Sequence, residues 1–181
     1  MRGAKAAFGV AILGSMLFAP AAALGASTPP GGPVAVFVTP SLDGIHGPIV
    51  ITGAIGDHGQ TTSMDKNGKP NANGNYVRIA LAKGTFEINS TALNAKTAKA
   101  QPTFNKATCS YQFTGMGPVT LFNGTGLYTG ISGTVNITLT FAGVGPLYIT
   151  GKHKGQCNLS NNAKPVAQYS AITGTGAVKF A

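Results

Sequence analysis

An all-β domain, an antiparallel barrel of about eight strands, is the fold class this sequence predicts. Two features of composition point there. The 181 residues include 26 glycines and 11 prolines, which break helices and mark turns. Good helix formers gather in one stretch only, around residues 92–100. The third feature is positional: short runs of apolar alternation, the signature of a half-buried strand, recur from Val34 to Phe180.

The first strand is expected where Val34, Val36 and Val38 alternate ahead of Pro40. PIVITGAIG follows, with Ile49 and Ile51 on one face, Val50 on the other, and glycines that permit a bend. DHGQTTSMDKNGKPNANGN is polar, carries Asn-Gly turn signals and offers only Met64 to a core, so it reads as one long loop or a lid. YVRIALAKGTFEINST sets Val77, Ile79 and Leu81 on one face, breaks at Lys83-Gly84, and resumes inward at Phe86 and Ile88. LNAKTAKA leaves Leu93 without apolar partners on its own face and reads as a short helical turn or a loop. Tyr111 and Phe113, then Val119 and Leu121, carry strand character onward from Cys109. In TVNITLTF, Val135, Ile137, Leu139 and Phe141 face the core against Thr134, Asn136, Thr138 and Thr140. Leu147 and Ile149 suggest a further strand, and Val178 and Phe180 end the pattern.

Glycines crowd the segment NGTGLYTGISGT, just ahead of the most regular alternation. Gly124, Gly126, Gly130 and Gly133 read as turn and curvature positions. A dinucleotide cradle requires a helix after such glycines, and here a strand follows. GMGPV at 115–119 and GVGPL at 143–147 repeat one turn device. Kinked antiparallel strands in this number fit closure, which removes exposed edges. A β-sandwich is the alternative, because strand count does not separate closure from face-to-face packing.

Residues 1–26 read as a secretory signal peptide: Arg2 and Lys5, an apolar run from Ala6 to Phe18, then small residues suited to cleavage. Residues 27–33 read as a flexible segment and 34–181 as a single barrel domain. No transmembrane segment is expected once the leader is removed, since its apolar core is shorter than the roughly 20 residues a span needs. The remaining chain has eleven basic residues against four acids, a net charge of about +7, dispersed rather than clustered. Arg78 is its only arginine. Without a basic patch or arginines for bidentate phosphate contacts, nucleic acid is not an expected partner; an anionic cell-envelope surface is. Cys109 and Cys157, in an exported chain, are expected to form a disulfide, contributing about 4 kcal/mol on the loop-entropy model.

Few residues suit catalysis. Asp43 and Asp65 sit in turn-like sequence, and Asp57, ahead of His58, reads as a solvent-facing turn residue with a barrel-mouth cap as the alternative. Glu87 alternates with Phe86 and Ile88, so it lies outside if apolar side chains fill the barrel and inside if the interior is a polar pocket. His46, His58 and His153 show no metal-ligand spacing, and no nucleophile elbow is present. No metal or cofactor is therefore expected. Tyr76, Tyr111, Tyr128, Tyr148 and Tyr169 are the candidate ligand-binding side chains, with Glu87 beside them: a tyrosine offers an apolar ring and a hydrogen-bonding tip. Barrel-rim packing is the structural alternative for all five.

GTGLYTGISGT at 124–134 resembles the glycine-rich segment of the dirigent and allene-oxide-cyclase-like barrel superfamily, with Gly124, Gly126, Tyr128, Gly130, Gly133 and Thr134 on its pattern. The likeness, to a secreted bacterial member, implies an eight-stranded antiparallel barrel with a ligand-sized cavity, commonly a homo-oligomer, working without a cofactor. The superfamily's catalytic cavity residues have no counterparts placed on this chain. The function expected is an exported barrel that binds a small apolar or aromatic ligand or serves as a noncatalytic envelope component. A cofactor-free cyclase or dirigent-like coupling guide and a structural or adhesive surface module are the alternatives.

Overall fold

A computed structural model describes residues 30–160 and 162–181; the expected leader lies outside them. Among these residues the chain forms strands β1 (Gly32–Val38), β2 (His46–Gly53), β3 (Asp57–Met64), β4 (Tyr76–Leu81) and β5 (Gly84–Asn89), then helix α1 (Thr91–Thr97). Strands β6 (Thr103–Asn105), β7 (Ser110–Phe122), β8 (Ser132–Val144) and β9 (Ala167–Lys179) complete it, with a 3₁₀ turn at Gly126–Tyr128 between β7 and β8. No helix among the described residues is long and apolar enough to cross a membrane.

All neighbours are antiparallel, in the order β5-β4-β3-β2-β1-β9-β8-β7, and β5 pairs with β7 to close the ring. The fold is an eight-stranded closed barrel, with β6 an extra strand outside it on the early part of β7. Closure sets the sandwich aside. The seam is short, only Glu87↔Phe122, Ile88↔Leu121 and Asn89↔Thr120. Above it, α1 takes the place of further pairing. Leu93, expected to lack partners, is buried in the barrel core. The helix comes close enough because β7 offers glycine there: a Cβ on Gly117 would stand 2.9 Å from the Leu93 Cα.

The alternation expected for β1, β2, β4, β5, β7, β8 and β9 is the interior wall. Val34, Ile51, Ile79, Phe86, Val119, Val135 and Val178 are buried in one cluster, each such side chain worth about 1.5–3 kcal/mol of transfer free energy. Two of the strand assignments are corrected. The polar stretch at 57–64 is not loop but β3, paired on both sides with β2 and β4. It escapes a hydrophobic pattern because its buried positions include Asp57 and Thr61. Leu147 and Ile149 make no strand: Leu147 forms one isolated bridge to Cys157, and Ile149 is 82 % exposed.

The strands β7, β8 and β9 outrun the others. Pairs from Ser110↔Val144 to Gln112↔Ala142, and Val144↔Ala167, lie beyond the last β1 pair, Val38↔Ile172. This extension carries Phe141, stacked on Tyr111 at 5.7 Å, rather than in the barrel core. The expected disulfide, Cys109–Cys157, is present, with Cα atoms 5.5 Å apart, and ties the loop after β8 to the start of β7.

Candidate functional site: an apolar cavity in the barrel

The interior is not filled. A cavity of about 470 Å³ runs inside the barrel, within the range of small-molecule pockets. Its walls are the inward aliphatics of the strands, among them Val36, Ile49, Ile51, Val77, Ile137, Leu139 and Ile172. Among the described residues that line it there is no lysine, arginine, aspartate or glutamate.

One end is sealed. The Gly126–Tyr128 turn drives Tyr128 beneath the barrel, where it is fully buried against Phe86, edge to face at 5.7 Å, with Phe180 on its other side at 6.4 Å. The glycine-rich segment exists to permit this. Gly126 and Gly130 take left-handed backbone (φ 60° and 73°). Gly124 lies so close to the Tyr128 carbonyl that a Cβ there would overlap it.

Under this floor lies Asp57, buried rather than in a solvent-facing turn. Its Oδ2 accepts hydrogen bonds from the Tyr128 hydroxyl (2.5 Å) and the Lys83 N–H (3.0 Å), and its Oδ1 from the His58 N–H (2.8 Å). Burial alone pushes the carboxyl upward. The Tyr128 bond, the two backbone donors and the nearby Lys83 charge more than offset this, and its pKa is lowered overall. For Tyr128, burial first, then the Asp57 hydrogen bond and charge, push the phenol well above its usual range. The pair is held as carboxylate and neutral phenol, locking a plug rather than exchanging a proton with the cavity.

The other end is polar. Ser63, Asn73, Asn75, Ser90 and Asn94 line it, beside Pro40, Ile45 and His46. Deeper in, the Thr61 hydroxyl donates to the Gly47 carbonyl at 3.1 Å. At the β1–β2 turn, Asp43 Oδ2 bonds His46 Nδ1 at 2.8 Å while Oδ1 accepts from the Ile45 and His46 N–H groups. The His46 hydrogen bond first, then those backbone donors, lower the Asp43 carboxyl to about 2. Asp65 likewise holds a turn, accepting from the Asn67 and Lys69 N–H groups.

The six candidate ligand-binding residues do not converge. None of the five tyrosines lines the cavity, and Tyr128 touches it only through Phe86. Tyr76 packs edge-on against Phe122, and Tyr148 lies against His153 in the loop after β8. Tyr111 and the 62 % exposed Tyr169 border a separate shallow depression on the strand extension. Glu87 lies on the outer wall, 3.5 Å from Arg78 and hydrogen-bonded by Asn123. Sequence reasoning missed Ser63, Asn75, Ser90 and Asn94. For Ser90 a signal existed, because Phe86, Ile88 and Ser90 continue one inward alternation. Among the described residues no group of three or more His, Cys, Asp or Glu side chains forms a metal site.

No protein-family model, curated protein or solved structure matches this chain.

Proposed function

We propose that this chain is an exported carrier or sensor that holds one small apolar or aromatic molecule inside its barrel, without performing chemistry on it. The observation that carries this reading is the cavity: about 470 Å³, walled mainly by aliphatic side chains, closed below, and polar at its mouth and at the Thr61 hydroxyl, which the Gly47 carbonyl already engages. A shape of this kind removes the apolar surface of a small molecule from water, at about 25 cal/mol per Å². Acid–base catalysis needs a titrating group within reach of a bound substrate; among the described lining residues that is His46 alone, at the rim and hydrogen-bonded to the Asp43 carboxylate. The buried acid, Asp57, is spoken for by Tyr128.

Membership of the dirigent and allene-oxide-cyclase-like superfamily belongs to the same proposal. It is supported by the GTGLYTGISGT segment and by the eight-stranded closure with an interior cavity. Export is supported by the leader-like residues 1–26 and by the Cys109–Cys157 disulfide. The net positive charge supports residence near an anionic envelope surface.

The test is uptake of N-phenyl-1-naphthylamine, a neutral fluorophore of about the right size. Saturable binding of one molecule per chain, lost when Ile137→Trp fills the interior, is the expected result. Binding that survives Ile137→Trp in a folded variant, or no binding at all, would overturn the reading.

A further inference from the structure

We infer that the molecule taken into the cavity carries a neutral oxygen, an alcohol, aldehyde or ketone, which is held at the mouth by Ser90 and Asn75. This rests on the binding reading above and assigns the polar end of the ligand.

Ser90 extends the inward set of β5 past Phe86 and Ile88, lines the cavity, and is only 5 % exposed. It sits at the cap position of α1, where a serine hydroxyl ordinarily accepts a bond from the second or third helical N–H. Its backbone carbonyl does receive the Asn94 N–H at 2.9 Å. The hydroxyl makes no capping bond and has no hydrogen-bond partner among the described residues. What remains for it is the cavity. The oxygen is not itself sealed off, since no fully buried side-chain nitrogen or oxygen among the described residues lacks a partner; its hydrogen-bonding capacity is open on the cavity side, where a ligand atom can take it up.

Asn75 adjoins it: the Ser90 N–H donates to the Asn75 carbonyl at 2.8 Å. The orientation of the Asn75 amide follows from its neighbours. Asn94 Nδ2 donates to the Gly74 carbonyl at 3.1 Å, which fixes which end of that amide is nitrogen. The same Nδ2 donates to Asn75 Oδ1 at 2.8 Å. With Oδ1 engaged, Asn75 is left with its Nδ2–H₂ as a donor at the rim. The mouth therefore presents two donors, Ser90 Oγ–H and Asn75 Nδ2–H₂, and the Ser90 oxygen can also accept. A ligand oxygen satisfies them.

The charge state of that oxygen follows from the lining. No lysine, arginine, aspartate or glutamate lines the cavity among the described residues, and the one ionisable side chain there, His46, is engaged by the Asp43 carboxylate at 2.8 Å. A carboxylate drawn to the depth of Ser90 would lose its hydration with no lysine or arginine on the lining to meet it, which is far more costly than burying a neutral hydroxyl or carbonyl.

The experiment is displacement of N-phenyl-1-naphthylamine by three ligands of one shape: 4-phenyl-1-butanol, butylbenzene and 4-phenylbutanoate, at a pH of about 8, where the acid is ionised. In the native protein the alcohol should outcompete the carboxylate by tenfold or more. Ser90→Ala should weaken the alcohol by about tenfold and leave butylbenzene within about twofold, its retained affinity showing that the barrel is intact. Asn75→Ala should weaken the alcohol by a smaller factor. Equal effects of Ser90→Ala on alcohol and hydrocarbon, or tightest binding by the carboxylate, would overturn the head-group assignment while leaving the binding reading in place. Failure of all three to displace the fluorophore, or of the fluorophore to bind, would overturn the binding reading itself.

Discussion

The Tyr128 hydroxyl donates to Oδ2 of Asp57 at 2.5 Å, joining two side chains 71 residues apart in the chain. The bond fixes the floor of the barrel, because Tyr128 packs on Phe86 and Asp57 opens β3. Tyr128→Phe keeps the ring and removes the bond. It is expected to cost about 1.5–3 kcal/mol, the range for hydrogen bonds to charged groups, measured by urea unfolding near neutral pH.

The same pair sets a dependence on pH. The Asp57 carboxyl titrates lower in the folded protein than in the unfolded chain, whose aspartates titrate near 3.9. Its contribution is therefore present above about pH 4 and lost as pH falls through the depressed folded value. Asp57→Asn should be less stable than the native protein at neutral pH, with the difference narrowing as acid is added. A constant difference from about pH 7 down to 2 would contradict the pairing. Tyr128 works at the other limit: its raised pKa favours folding below about pH 10, an advantage lost as pH climbs through the folded value.

Cys109 and Cys157 fasten the loop beyond the barrel, not the barrel wall. Mass analysis of the isolated protein should give a chain two protons lighter than the reduced form. Reduction should lower stability by up to about 4 kcal/mol while leaving fluorophore uptake within about twofold. Loss of uptake on reduction would mean that the extension shapes the cavity.

Leu93 and Gly117 form the contact by which α1 covers the gap above the seam. Leu93→Ala is expected to cost about 2–3 kcal/mol, the low end for a buried leucine, because its side chain already borders open space. Gly117→Val should cost more, since the new side chain meets the helix backbone. Both are read from thermal or urea unfolding.

Glu87 pairs with Arg78 on the outer wall. Glu87→Gln is expected to change stability by less than about 1 kcal/mol and fluorophore affinity by less than twofold. A tenfold loss of affinity in a folded variant would place that carboxylate in contact with the ligand.

Much of the wall was legible because it obeys one rule. Val36, Ile51, Ile79, Val119, Ile137 and Val178 sit at alternate positions in their strands, although Phe37, Val50 and Met116 put apolar side chains on the outer face as well. The rule fails in β3, whose inward positions include Asp57 and Thr61. That strand is fixed by the hydrogen-bonding ladders on either side of it, which no local pattern announces. It misleads at Leu147 and Ile149, which alternate but lie past the end of the barrel. Asp57 was hidden by distance, since its partner arrives through the glycine-rich turn. Turn chemistry foretold that turn, but not that its tyrosine would close the floor. The polar mouth was hidden because Ser90, Asn75 and Asn94 are ordinary turn and cap residues until the fold brings them to one rim.

The central claim is a hollow apolar interior that accepts a guest. Methyl-labelled protein with bound N-phenyl-1-naphthylamine tests it most directly, by nuclear Overhauser contacts between guest and protein. Contacts to the methyls of Val36, Ile49 and Ile137, all lining the cavity, are the expected result. Contacts confined to outward-facing Val50 and Met116, both exposed, would contradict it.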